Sequence, residues 1–165
     1  MLYYPDETLQ HAGVITGLGG YAGHSHKYKQ KGGSGYLFRI ATVQDFSAVT
    51  GACLLVKASV YDEVGGLDEQ FAVAFNDVDF CLRVRDAGCR IAWTPYAELT
   101  HYESKSRGGD EKDPAKAARF AAEQQRLYTI HGKENILDDP YYNPNLTRDR
   151  EDFLESDDLR RLKEG

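Results

Sequence analysis

A chain of 165 residues, 41% hydrophobic and 28% charged, has the length and composition of one ordinary globular domain. Its net charge of -6, from 26 acidic and 20 basic residues without a basic stripe, argues against nucleic acid as a partner and leaves acidic sites for a metal more plausible. Cys53, Cys81 and Cys89 form no closely spaced pair, which argues against a disulfide framework and a thiolate zinc site and fits a reducing cytoplasm; no apolar run approaches the ~18 residues of a membrane span, so membrane contact is left to peripheral attachment.

Met1 to Gly17 carries strand-like residues on either side of the turn signal Pro5-Asp6 and reads as a hairpin. Gly17 to Gly35, rich in Gly, His and Lys, is expected to be a long loop without regular structure. Its His24-Ser25-His26 could bind metal, although a loop histidine without a third ligand is more often a solvated polar residue. Ser47 to Val56 is apolar and β-branched and predicts a buried strand, with Gly51 marking a close backbone approach against which a ligand could lie. Ala58 to Val64 predicts a short helix stopped by Gly65-Gly66.

The stretch Ala74 to Gly88 organises the rest. Asn76 stands as an N-cap, Asp79 completes a variant capping box and Gly88 supplies the stop, so about three turns of helix follow. Asp77, Phe80, Cys81 and Val84 share one face, while Asp79, Arg83 and Asp86 form a polar face on which Asp79 pairs with Arg83. A carboxylate among apolar neighbours needs a partner, a metal or a substrate; an acidic first-turn residue is also what the helix dipole alone favours. Beyond it, Pro95 splits Arg90 to His101 into two short strand-like pieces, and the polar loop Tyr102 to Asp113 places Arg107 in a setting suited to anion contact. Asp113-Pro114 opens a long helix ended by Gly132, whose stripe Ala117, Phe120, Ala121, Gln124, Leu127 and Tyr128 is expected to pack on the sheet. An aromatic, proline-bearing segment and a charged end follow; residues 1–145 read as the domain and 146–165 as a tail that frays or docks weakly. The alternation predicts an α/β protein, a mixed sheet flanked by helices.

Taken together, Val49-Thr50-Gly51-Ala52-Cys53-Leu54-Leu55-Val56, Glu63-Val64-Gly65-Gly66-Leu67-Asp68-Glu69, Phe75-Asn76-Asp77-Val78-Asp79-Phe80-Cys81-Leu82-Arg83, Trp93 to His101 and Glu103 to Gly108 resemble, in order and spacing, the C-terminal, acceptor-side half of a family-2 glycosyltransferase of the GT-A fold, similar to bacterial rhamnosyltransferase-like enzymes. The resemblance implies a partial GT-A, Rossmann-like fold lacking its nucleotide-binding half, with that half's Asp-x-Asp metal motif. It implies an inverting transfer from a nucleotide-sugar donor to a saccharide or lipid-linked acceptor in cell-surface polysaccharide synthesis. Asp77 takes the general-base role, in a pair where Asn76 replaces the usual Glu; His101 helps bind Mn or Mg, and Arg107 contacts the diphosphate. Gly51, Asn76 and Trp93 complete the substrate side, Trp93 by stacking on a sugar, against which packing weighs as the commoner role of a strand aromatic. A half-fold exposing apolar surface would also tend to form homo-oligomers. The rival reading is a non-catalytic carbohydrate- or protein-binding module.

Overall fold

The computed structural model describes residues 1–102, 113–151 and 153–157. Strands β1 (Leu2–Tyr3) and β2 (Leu9–His11) form the expected hairpin, and β1 also pairs in parallel with the late strand β7 (Leu99–Thr100), giving a mixed three-stranded sheet in the order β2-β1-β7. Strand β3 (Val14–Thr16) pairs antiparallel with β4 (Ala22–His24), a strand inside the segment expected to be irregular. Positive φ at Gly17, Gly19 and Gly20 turns the chain back tightly enough to make that hairpin. Strand β5 (Gln44–Asp45) pairs with β6 (Ala92–Trp93), so Pro95 does divide the later segment into β6 and β7, which lie in different sheets.

The predicted strand 47–56 is only partly extended and buried. Phe46 to Val49 are buried, with Phe46 bonded to Ile91 and Val14 to Ala48, but Thr50 then caps a single 3-10 turn, Gly51–Cys53, with its side chain on Ala52 N. That cap takes the chain out of the sheet, and Leu55 is left 98% exposed. Gly13 is required beneath this segment: its φ is +93°, and a Cβ there would meet the Phe46 ring at 2.5 Å.

Three helices fall close to their predicted bounds, α1 (Ala58–Glu63), α2 (Asn76–Asp86) and α3 (Pro114–His131), and a short helix that the sequence does not predict, α4 (Lys133–Leu137), follows Gly132. Asp113 caps α3 by accepting from Ala115 N. The N-cap of α2, however, is Phe75 in the left-handed region, not Asn76, whose Oδ1 instead accepts from Asp77 N at 2.7 Å. Phe80, Cys81 and Val84 are buried as expected, whereas Asp79, expected on a polar face, is buried as well, at 1% exposure. Its expected partner Arg83 is present at 2.7 Å, but His131 Nε2 also donates to Asp79 Oδ1 at 2.8 Å, drawing the carboxylate inward beneath α3. Along α3 itself Leu127 is buried with Glu123, while Ala117 and Ala121 stay exposed and Phe120, also exposed, meets the rings of Phe75 and Tyr21, so the burial is concentrated in the C-terminal half of the expected stripe. Among the described residues no helix is long and apolar enough to cross a membrane.

The described part of the C-terminal segment packs firmly. Leu146 and Phe153 are buried, and the Phe153 ring stacks on His26 at 4.2 Å and on Tyr36 at 5.2 Å. His26 is therefore a core residue: its Nε2 accepts from Tyr36 N at 3.0 Å, which puts its proton on Nδ1 beside Ser25 Oγ at 2.6 Å. Burial, with the Arg39 and Lys29 charges adding to it, lowers its pKa from 6.5 to about 4. Because the folded value lies below the ordinary one, the stability tied to the neutral ring is complete above pH 6.5 and lost as pH falls toward 4. The loss is expected to be about 3 kcal/mol, and urea titrations of His26→Gln should show a shallower pH slope across that window than the native chain.

Candidate active site

One large cleft, with a cavity volume of about 1100 Å³, collects most of the residues the sequence singles out. Gly51, Asn76, Asp77 and His101 all line it. Arg107 lies outside the described residues. Trp93 is not in the cleft: it is 5% exposed, with its ring edge-on to Phe46 at 6.0 Å. Its strand position faces the core, so packing and not sugar stacking accounts for it, and sequence alternation alone does not tell the two faces apart.

Asp77 sits in the first turn of α2, where the helix dipole favours a carboxylate. Its Oδ2 accepts from Gly51 N at 2.8 Å and its Oδ1 from Val78 N at 2.9 Å, so the backbone fixes the carboxylate at the cleft wall while leaving it half-buried. The close approach expected at Gly51 is made by this side chain: a Cβ at Gly51 would stand 3.4 Å from Asp77 Cβ.

The approach to α2 is built from residues the sequence did not reveal. Phe75 has φ 62°, a costly conformation for a bulky side chain, and it is held by ring contacts to Phe120 at 5.2 Å and Tyr21 at 6.1 Å. Glu123 on α3, 4% exposed, accepts from Val73 N at 3.2 Å and from Ala74 N at 2.7 Å. A buried carboxylate on two backbone amides is a strong clamp, and it holds the loop that aims Asp77. The only signal for it in the sequence is an acid in the middle of an apolar stripe.

Just past the end of β7, His101 lines the same cleft as Asp77. Its Nδ1 lies 2.9 Å from Gln10 Oε1, an oxygen that only accepts, so Nδ1 holds the proton and Nε2 is the basic nitrogen. That is the arrangement in which a neighbour's hydrogen bond prepares a histidine to ligate a metal. Among the described residues no group of three or more His, Cys, Asp or Glu could hold a metal ion, so His101 offers one ligand and not a complete site. The pair His24 and His26 does not ligate together either, since His26 is taken up by the core while His24 lines the cleft and meets His11, their Nδ1 atoms 3.1 Å apart. Lys27, Lys116 and Arg119 add positive charge to the cleft wall.

Compared with known proteins, the chain is 50% identical over 154 residues to the uncharacterised protein y4gI of Sinorhizobium fredii, covering 93% of this chain and 17% of that protein. It is 36% identical over 148 residues to the O-antigen biosynthesis protein RfbC of Myxococcus xanthus, covering 88% of this chain and 11% of that protein. Over 80 residues, 48% of this chain and 24% of the relative, it is 36% identical to an N-acetylglucosaminyl-diphospho-decaprenol L-rhamnosyltransferase of Mycobacterium tuberculosis. The chain thus spans less than a quarter of the length of these curated relatives. No solved structure matches it. The family model described as glycosyltransferase like family 2 matches residues 23–126, a stretch that holds Gly51, Asn76, Asp77 and His101, and the chain belongs to that family.

Proposed function

We propose that this chain is the acceptor-side portion of an inverting glycosyltransferase, which passes a sugar from a nucleotide-sugar donor to a saccharide or lipid-linked acceptor in the synthesis of a cell-surface polysaccharide. The observation that carries this reading is Asp77, set at the head of α2 in a cleft and oriented by Gly51 N. The relatives named for O-antigen biosynthesis and for L-rhamnosyl transfer onto a diphospho-decaprenol acceptor support the substrate classes. Their greater length supports a portion of a larger enzyme.

In the step itself the acceptor hydroxyl gives its proton to the Asp77 carboxylate as its oxygen attacks the anomeric carbon. The bond from that carbon to the diphosphate breaks on the opposite face, the electron pair leaves with the diphosphate, and the configuration inverts. The proton stays on Asp77 until solvent removes it. Gly51 N and the α2 dipole orient the base, and the Glu123 clamp keeps the preceding loop in place, so most of the chain's contribution is positioning. A divalent cation, Mn or Mg, supplies charge neutralisation at the diphosphate when bound, and His101 is the nitrogen ligand this chain would give it, a donor that suits Mn. Arg107 and the cleft cations Lys27, Lys116 and Arg119 would meet the diphosphate's negative charge. This reading sets the reaction in the cytoplasm, at the inner face of a membrane that carries the acceptor.

The test is sugar incorporation by the protein expressed from its complete reading frame, with a panel of nucleotide-sugars that includes a rhamnose donor and with host membranes supplying the acceptor. One donor should label a lipid-linked or polysaccharide product, chelation should abolish labelling, and Mn or Mg should restore it. A folded protein that labels nothing with any donor would leave the binding-module reading in its place.

A further inference from the structure

The apolar run that surrounds Gly51 behaves differently in its two halves. Upstream of the turn the chain is paired with two neighbours, Phe46 N donating to the Ile91 carbonyl and Val14 N to the Ala48 carbonyl. Downstream of the Gly51–Cys53 turn the backbone is extended again, with Leu54 at φ −125° and ψ 129° and Lys57 at φ −69° and ψ 133°, before α1 begins at Ala58. Leu54 and Val56 pack against the core, while Leu55 between them is 98% exposed. That alternation is the period of a strand. Yet among the described residues nothing bonds to the backbone N–H or C=O of Leu54, Leu55 or Val56.

An extended backbone with unpaired N–H and C=O groups is a template for another strand. Its side chains say what kind of strand it is. A strand with one wet face carries polar residues there, whereas an unbroken apolar run, here Leu54-Leu55-Val56, is the composition of a strand covered on both faces, and the helix that follows directly is the usual sequel in such a sheet. A second copy pairing edge to edge would leave Leu55 uncovered. It would also meet this chain along only three residues, about 10 Å of strand, far short of the ~1,200 Å² that a stable dimer buries. A segment of the same polypeptide needs no such area, because the tether supplies a high effective concentration. Relatives of which this chain spans 17%, 11% and 24% have ample length to provide one. We propose that residues 54–56 are a strand-docking edge, taken in the complete protein by an extended strand from a further segment of the same polypeptide, with an apolar element laid over Leu55. The edge lies two residues past Ala52, which lines the cleft with Gly51, and Gly51 N holds Asp77 Oδ2 at 2.8 Å. The added segment therefore borders the cleft beside the base.

This assignment rests on the reading of the chain as a portion of a larger transferase, and amide hydrogen exchange tests it apart from the chemistry. In the 165-residue chain alone the amides of residues 54–56 should exchange at nearly the rate of free peptide, and in the protein expressed from its complete reading frame they should exchange at least roughly 100-fold more slowly. Leu55→Asp should leave the thermal midpoint of the 165-residue chain within about 2 °C of native, since the side chain is in water there, and in the complete protein should speed exchange of the same amides at least roughly 10-fold. Equal, fast exchange in the two native proteins overturns the proposal, whether or not Leu55→Asp folds. Protection already present in the 165-residue chain, rising with its concentration, makes a second copy the occupant and overturns it as well. A complete protein that transfers sugar while these amides stay unprotected fails the docking assignment alone; one that protects them and transfers no sugar with any donor fails the transferase reading and leaves the docking edge in place.

Discussion

Asp77→Asn is expected to reduce sugar transfer by roughly 10²- to 10⁴-fold, the contribution of a positioned proton acceptor. The substitution keeps the shape of the side chain, and the remaining carbonyl oxygen can still accept from Gly51 N, the bond now made at 2.8 Å. What disappears is the capacity to take the acceptor proton. Donor affinity should hardly move, because the loss falls on the transition state and not on ground-state binding. If Asp77 were only a dipole-favoured residue at the head of α2, the same change would cost about 0.3–1 kcal/mol of stability and leave the rate intact. Initial rates measured beside a thermal midpoint distinguish the two, and a normal rate in Asp77→Asn removes the catalytic role whatever the family.

The features legible in the sequence were those written in neighbouring residues. Gly88 past the end of α2, and Asp113, Pro114 and Gly132 around α3, are local signals, and both helices begin and end close to them. Asp77 could be placed in the first turn on the same grounds. The residues that hold it could not, because their partners are far along the chain: Glu123 reaches back 50 residues to Val73, and His11 meets His24 only because glycines at positive φ fold β4 onto β3. Trp93 illustrates the converse error, in which a residue with the right chemistry for a sugar platform is turned to the core by the strand that carries it. Ser47 to Val56 has the uniform composition of one strand, yet the Thr50 side chain competes for the backbone and ends the extended run halfway. Helical periodicity put Asp79 on a polar face because it counts residues along one helix and takes no account of a second helix lying over it.

That second helix gives Asp79 its expected importance to stability. Asp79 Oδ1 accepts from His131 on α3, and Oδ2 accepts from Arg83 Nε at 3.0 Å and Nη2 at 2.7 Å, so one buried carboxylate joins α2 to α3 and, through Arg83 Nη1 on the Val64 carbonyl, to the end of α1. Burial alone would raise the Asp79 pKa, but the hydrogen bonds from His131 and Arg83 outweigh it and hold the group below its ordinary 3.8. A depressed carboxylate contributes stability that is complete above its unfolded pKa and lost as pH falls through the folded one, so this contribution lasts below pH 4, after the His26 contribution has faded. Removing the carboxylate leaves Arg83 and His131 facing an empty polar site, and Asp79→Ala is expected to cost about 3–5 kcal/mol. For a chain of this length that lowers the thermal midpoint by roughly 10 °C. Asp79→Asn, still able to accept one of the bonds, should lose about 1.5–3 kcal/mol. Asp86, exposed near the end of the same helix, is the control, since Asp86→Asn should stay within about 0.5 kcal/mol of the native chain. Urea unfolding of the three variants decides the matter: if Asp79→Ala proves no costlier than Asp86→Asn, Asp79 is not the link between the helices.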